Sequence, residues 1–214
     1  MTDGITLEVC IENGSRLEEL AKKGADRVEL NDNMAESGTT VSYGVAEYAI
    51  KRCHTSGIKV ISMIRPRGGN FVYSEDELSI MLKDIKVMHD LETDGIVFGC
   101  LTSSGSLDRE KNLRLIRAGK KRNIDIVFHM AFDHINYGEQ PESLRWLRDN
   151  GVTRILTHGS ANQADPIQNN CQRLKEYIAA GGIEILPGGG VTNVNFREIC
   201  TELGIKQAHG TRIL

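Results

Sequence analysis

Charged and sulfur-bearing residues recur at the ends of short apolar runs. Glu8 and Cys10 stand two residues apart in Leu7–Cys10, and Glu29 and Asn31 two apart in Arg27–Asn31. Side chains alternate between the two faces of a strand, so each pair shares a face, and inward-turned faces would bring two carboxylates and a thiol together. A carboxylate buried alone is costly, which makes Arg65, Arg67 and the histidines the expected partners of Glu8 and Glu29. Arg65 ends Lys59–Arg65 and Arg67 follows it, a pair able to clamp a carboxylate or phosphate bidentately. His129 ends Asp125–His129 with Asp133 four residues on, Thr157 and His158 end another run, and His209 ends Ile205–His209. These positions make Glu8, Glu29, Arg65, His129, Asp133 and His209 the candidate catalytic groups, with Glu8, Glu29 or His129 as general base. Thr157, His158, Arg67 and the run Gly188-Gly189-Gly190 are the candidate anion-binding groups. The bare glycine amides there precede a helix beginning near Asn195, where backbone N–H groups can cradle an oxyanion, and Arg212 offers a counter-charge. Cys10 is the candidate metal ligand, since a thiolate suits a soft ion such as copper, with Cys100 or a histidine to complete the site.

These groups need a scaffold that delivers strand ends to one place. Apolar runs at Leu7–Cys10, Arg27–Asn31, Lys59–Arg65, Gly95–Gly99, Asp125–His129, Arg154–Thr157, Glu184–Pro187 and Ile205–His209 read as strands. Between them, Ser15–Lys23, Tyr43–Thr55, Glu75–Leu91, Arg109–Arg122, Pro141–Asp149, Pro166–Ala179 and Asn195–Leu203 read as helices. The third helix is signed by Ser74 as its cap, three acidic residues in its first turn, and a stripe of Leu78, Met81, Leu82, Ile85 and Met88. Gly24, Gly57, Gly151 and Gly204 each follow a helix and precede a strand, the position where a left-handed residue ends a helix. Strict alternation implies parallel strands with right-handed crossovers. Eight strands, a compact length and no G-x-G-x-x-G turn favour a (β/α)8 TIM-type barrel, one domain over residues 1–214, above an open doubly wound sheet. In such a barrel the functional site lies at the C-terminal ends of the strands, where these residues fall. Only Gly210–Leu214 follow the eighth strand, too few for a closing helix. An uncovered wall between strands eight and one is therefore expected, and with it a homodimer or higher homo-oligomer.

The 214 residues are 40% hydrophobic and 26% charged, with a formal net charge of -3. That balance offers no basic excess for nucleic acid or an anionic membrane. No apolar stretch approaches the ~20 residues needed to span a bilayer. The start, MTDGITLEVC, lacks a secretory pattern. The five scattered cysteines form no C-x-x-C pair, and reduced thiols in a cytoplasm are expected.

The segments Glu8-Val-Cys10, Gly24-Ala-Asp-Arg-Val-Glu-Leu30, Ser37-Gly-Thr-Thr40, Ile64-Arg-Pro-Arg-Gly-Gly69, Phe128-His-Met-Ala-Phe-Asp133, Ile155-Leu-Thr-His-Gly159, Leu186-Pro-Gly-Gly-Gly190 and His209-Gly-Thr211 resemble, in order and over nearly the whole chain, the copper homeostasis protein CutC family in its short bacterial form. The resemblance implies a cytoplasmic TIM barrel, commonly dimeric or higher, serving copper homeostasis, with copper on the cysteines ending the first two strands. Cys10 matches the first of these, but Asn31 stands where the family usually has the second, so a two-thiolate copper(I) site cannot form from this pair. Val41 likewise replaces the proline usual after Gly-Thr-Thr.

Two functions follow as expectations. One is copper handling, with a copper ion at the barrel mouth on Cys10. The other is an enzyme, an isomerase, lyase or hydrolase acting on a small anionic metabolite held by the arginines and glycine amides.

Overall fold

The structure, a computed structural model, describes residues 4–214. Eight strands alternate with seven helices: β1 (Thr6–Glu12), α1 (Leu17–Lys23), β2 (Arg27–Asn31), α2 (Tyr43–Thr55), β3 (Lys59–Met63), α3 (Glu75–Asp90), β4 (Gly95–Phe98), α4 (Arg109–Gly119), β5 (Asp125–Phe128), α5 (Gln140–Asn150), β6 (Arg154–Thr157), α6 (Cys171–Ala180), β7 (Glu184–Pro187), α7 (Phe196–Leu203) and β8 (Gln207–Gly210). All ladders are parallel, in the order β7-β6-β5-β4-β3-β2-β1-β8. β7 and β8 complete the barrel without a ladder of their own. The Gln207 amide spans that gap, donating to Glu184 Oε2 at 3.2 Å and to the Ile185 carbonyl at 3.5 Å. Past the strand ends the Asn193 amide donates to the Arg212 carbonyl at 2.9 Å.

The period-2 pattern of the strands divides the interior into two cores. Outward residues such as Leu7, Val9, Val28, Leu30, Ile96 and Phe98 pack beneath the helices. Inward residues of β3 to β7 (Ile61, Met63, Val97, Val127, Leu156 and Leu186) form a separate apolar cluster inside the barrel. The helices are built as their sequences imply. On α3, Ser74 Oγ accepts from the Glu77 amide and the Ser74 amide donates to Glu77 Oε2, a reciprocal cap, while Leu78, Met81, Ile85 and Met88 are buried. Gly24, Gly57, Gly151 and Gly204 all adopt positive φ at the helix-to-strand returns.

Boundaries differ where turns replace regular structure. α1 begins only at Leu17, because Arg16 is left-handed at φ 64°. A short 3-10 turn, Ile167–Asn170, precedes α6. β3 ends at Met63, so Arg65 lies in the loop.

The expected uncovered seam is not present. Leu7 and Val9 of β1, Ala208 of β8 and Ile213 of the terminal segment are buried within the single chain. The last residues fold back over the seam: Arg16 donates to the Thr211 carbonyl at 3.2 Å, and Ile213 packs beside Gly210. The reason given for an oligomer, an apolar wall left open after β8, therefore falls away.

Candidate functional site

A cavity of about 750 Å³ opens at the C-terminal mouth of the strands. Cys10, Glu29 and His209 line it on one side, Arg65, Phe71 and His129 line it as well, and Met63, Leu101 and Leu156 supply apolar wall.

The register of three adjacent strands explains the charged side. Glu8 of β1 pairs across with Arg27 of β2 on one side and His209 of β8 on the other, so three ionisable side chains turn inward at one level. Arg27 Nε donates to Glu8 Oε2, and His209 Nδ1 lies 2.8 Å from Glu8 Oε1. Burial pushes the Glu8 carboxyl up, but Arg27 and then His209 outweigh it and hold the group down at about 2. Glu8 thus sits under the cavity floor with both oxygens engaged. One level toward the mouth, Cys10 pairs across with Glu29. Asn31 Nδ2 donates to Glu29 Oε2 at 2.9 Å and to Cys10 Sγ at 3.4 Å, and His209 Nε2 stands 3.8 Å from Glu29 Oε2. Burial is opposed at His209 by the two carboxylates, which draw its pKa up. Burial also raises Glu29, helped by the Glu8 charge. Cys10 is pushed well up by burial and by the Glu29 carboxylate. Ligand atoms of Cys10, Glu29 and His209 all lie within 4.8 Å of one another, close enough to share a metal ion. Met34, on a 3-10 turn after β2, adds a thioether: its Sδ is 3.7 Å from Cys10 Sγ. The Met34 amide donates to Glu12 Oε1 at 3.1 Å, which fixes that turn to the end of β1.

His129 lies across the cavity in a different state. Its Nδ1 accepts the Ala131 amide at 3.2 Å. Burial and then the Arg65 charge hold its pKa down at about 3, so the ring is neutral with its proton on Nε2, an atom with no partner among the described residues. Arg65 spends its terminal nitrogens on backbone: Nη1 donates to the Glu36 and Gly38 carbonyls at 2.6 and 2.7 Å, and Nη2 to the Gly69 carbonyl at 2.8 Å. Its Nε is buried and unpartnered.

Other expected residues have different places. Arg67 does not line the cavity. Its guanidinium pairs with Glu77 at 2.5 Å, donates to the Val72 carbonyl at 2.7 Å, and lies over the Tyr73 ring. The two-arginine clamp is therefore not assembled, because one arginine satisfies loop carbonyls and the other the start of α3. Asp133, Thr157 and His158 form a buried loop anchor. Asp133 accepts from Thr157 Oγ1 at 2.5 Å and from the His158 and Gly159 amides at 2.9 and 3.0 Å. Burial nevertheless keeps Asp133 raised, at about 6. His158 Nδ1 sits 2.9 Å from the Gly189 carbonyl. Gly188 donates to the Thr157 carbonyl, while Gly189 and Gly190, both at positive φ, reach the cavity edge. Cys100 lies outside the barrel in the helix-facing core and does not line the cavity. The side chains beside Cys10 are instead those of Met34, Glu29 and His209.

Sequence reasoning missed Arg27, Met34 and Phe71. Arg27 was detectable, since it shares a face with Glu29 two residues on; Met34 and Phe71 lie on loops whose course has no periodic signal.

Fold and site together define a (β/α)8 barrel with a buried carboxylate–histidine–thiol cluster in its C-terminal mouth. The chain belongs to the CutC family, whose sequence profile matches residues 5–214. It is 44% identical over 209 residues to a CutC family protein of Enterococcus faecalis, covering 97% of this chain and 99% of that one. It is 35% identical over 207 residues to the human copper homeostasis protein cutC homolog, covering 97% of this chain and 73% of that one. The crystal structure of a CutC protein from Streptococcus agalactiae superposes with a TM-score of 0.94 at 48% identity, covering 98% of this chain and all of that one.

Proposed function

We propose that this chain handles copper(I) as cargo, held in the barrel mouth by Cys10, Met34 and His209. The observation that carries the reading is the 3.7 Å separation of Cys10 Sγ and Met34 Sδ, beside the cluster of Cys10, Glu29 and His209. A thiolate, a thioether and an imidazole form a soft donor set of the kind that selects copper(I). Met34 offers the second sulfur that Asn31 cannot. Glu8 behind His209 Nδ1 is the carboxylate that orients a ligating imidazole and turns Nε2 to the metal. The names of the human and streptococcal relatives support the same reading. Five buried free thiols fit a reducing compartment such as the cytoplasm.

Competition of the reduced protein against a chromophoric copper(I) chelator tests this. Cys10→Ser and Met34→Leu should each weaken binding, and Glu8→Gln should cost about 10- to 100-fold through the orienting carboxylate. Affinity should climb with pH, since the ion competes with protons on Cys10 and His209. Wild-type affinity in both Cys10→Ser and Met34→Leu overturns the site.

A further inference from the structure

The sulfur-bearing floor uses only part of the cavity, whose volume of about 750 Å³ is that of an organic-ligand pocket rather than of a bare ion. We infer that the wall formed by His129, Arg65 and Phe71 binds the carboxylate of a small organic acid. This goes beyond the metal reading, because none of Cys10, Met34 or His209 takes part.

Two orphaned donors carry the inference. A backbone amide can only donate, so the Ala131 contact fixes His129 Nδ1 as acceptor and leaves the ring N–H on Nε2. That Nε2 and Arg65 Nε are both buried without an acceptor among the described residues, and both residues line the same cavity. Buried polar groups in native proteins are nearly always paired, and an unpaired pair at a cavity wall marks where a ligand's acceptors belong. The half-buried Phe71 ring links the two groups, with its centroid 4.9 Å from that of His129 and 5.1 Å from Arg65 Cζ. The His129 ring has little freedom to turn away. A Cβ at Gly99 would lie 2.8 Å from its Cε1 and Nδ1, so that edge of the ring is pressed against the Gly99 backbone.

The chemistry of the donors selects the ligand. One guanidinium, most of whose Nη donors already serve carbonyls, and one neutral N–H suit two oxygens sharing a single negative charge. A phosphate dianion would need more donors and more positive charge than this wall supplies. Met63, Leu101 and Leu156 give the carbon skeleton an apolar surface.

Calorimetric titration of the copper-free full chain with pyruvate, succinate, benzoate and inorganic phosphate tests the inference. At least one carboxylate should bind saturably in the millimolar range or tighter, and phosphate should not. His129→Leu should weaken that binding roughly 10- to 100-fold, the loss of one hydrogen bond to a charged group. Arg114→Ala, which removes a surface cation on α4, should bind as wild type. Should His129→Leu not fold, the His129 Nε2–H resonance of the wild-type protein gives the same answer, since an arriving carboxylate must shift it. Failure of all three carboxylates to saturate, phosphate binding as well as they do, undiminished binding by His129→Leu, or a His129 resonance unmoved at saturation each overturns the proposal. Copper(I) affinity is read separately on Cys10 and Met34 variants, so the two readings fail independently.

Discussion

Arg27→Met removes the main partner of Glu8, and its cost can be worked out in two ways. Glu8 is 2% exposed and Arg27 6%, so neither has solvent to fall back on. Breaking a buried ion pair from one side typically costs about 3–5 kcal/mol, because a charge is left uncompensated. Linkage gives an independent figure. Glu8 falls from 4.5 to about 2 in the fold, and that difference is worth roughly 3 kcal/mol, shared between Arg27 and His209. At roughly 2–4 °C per kcal/mol for a chain of this size, the melting temperature at pH 7 should drop by roughly 6–20 °C. The sign of the pH dependence is fixed. A folded-state pKa below the unfolded value stabilises fully above the unfolded value, and that contribution is lost as pH falls from 4.5 toward 2. Thermal melts at pH 7, 5, 4 and 3 should therefore show the gap between wild type and Arg27→Met narrowing in the acid range. Adding Glu8→Gln to Arg27→Met should recover part of the loss, since no carboxylate is then stranded. Lys86→Met, which breaks an exposed pair with Asp90, should change stability little. An Arg27→Met protein within about 1 kcal/mol of wild type at pH 7, or a gap that stays constant down to pH 3, would refute the reasoning.

Asp133→Asn places an amide nitrogen where the His158 amide now donates; a loss of about 1–3 kcal/mol in chemical denaturation is expected, and no loss would mean the loop anchor has been misread. Gly210→Ala would drive its Cβ into the Val191 carbonyl oxygen where β8 ends; overpacking of about 1–3 kcal/mol should lower the melting temperature, and a neutral result would show that this turn yields. Glu77→Ala removes the acceptor of the Ser74 amide, one half of the reciprocal cap of α3, and the partner of Arg67; about 0.5–2 kcal/mol should be lost, with faster amide exchange in the first turn of α3 as the local signature.

The barrel and the inward turn of Glu8, Cys10, Glu29 and Asn31 were legible because period-2 alternation is a local property. Which residue faces which is not local. Arg27 could have been placed on the inward face by its spacing from Glu29, yet its pairing with Glu8 depends on the offset between β1 and β2, which only closure of the barrel sets. The same limit explains the arginines after β3. Both were visible as cations at the mouth, but the carbonyls of Glu36, Gly38, Gly69 and Val72 that consume their donors come from loops without periodicity. The seam at β8 was misjudged for a related reason: counting five residues after the strand excluded a helix, but gave no account of Arg16 tethering Thr211 or of Ile213 folding inward.

The barrel interior is unequally shared, and the inequality bears on function. β3 to β7 contribute the inward apolar cluster, whereas β8, β1 and β2 contribute an ionic column. Arg154, paired with Asp125 and Glu184, joins it at the N-terminal end. The column then passes through Arg27 and Glu8 to His209, and ends at Glu29 and Cys10 in the cavity. Stability does not explain such a column, since well-packed hydrophobic residues of similar volume usually do as well or better than buried ion pairs. Its effect is positional. With Nδ1 held by Glu8, the His209 ring is fixed and its Nε2 faces Glu29 and Cys10. With Arg27 holding the other oxygen of Glu8, that carboxylate stays charged, so its hold on Nδ1 persists. A change at Arg27 would therefore reach the cavity floor through Glu8 and His209.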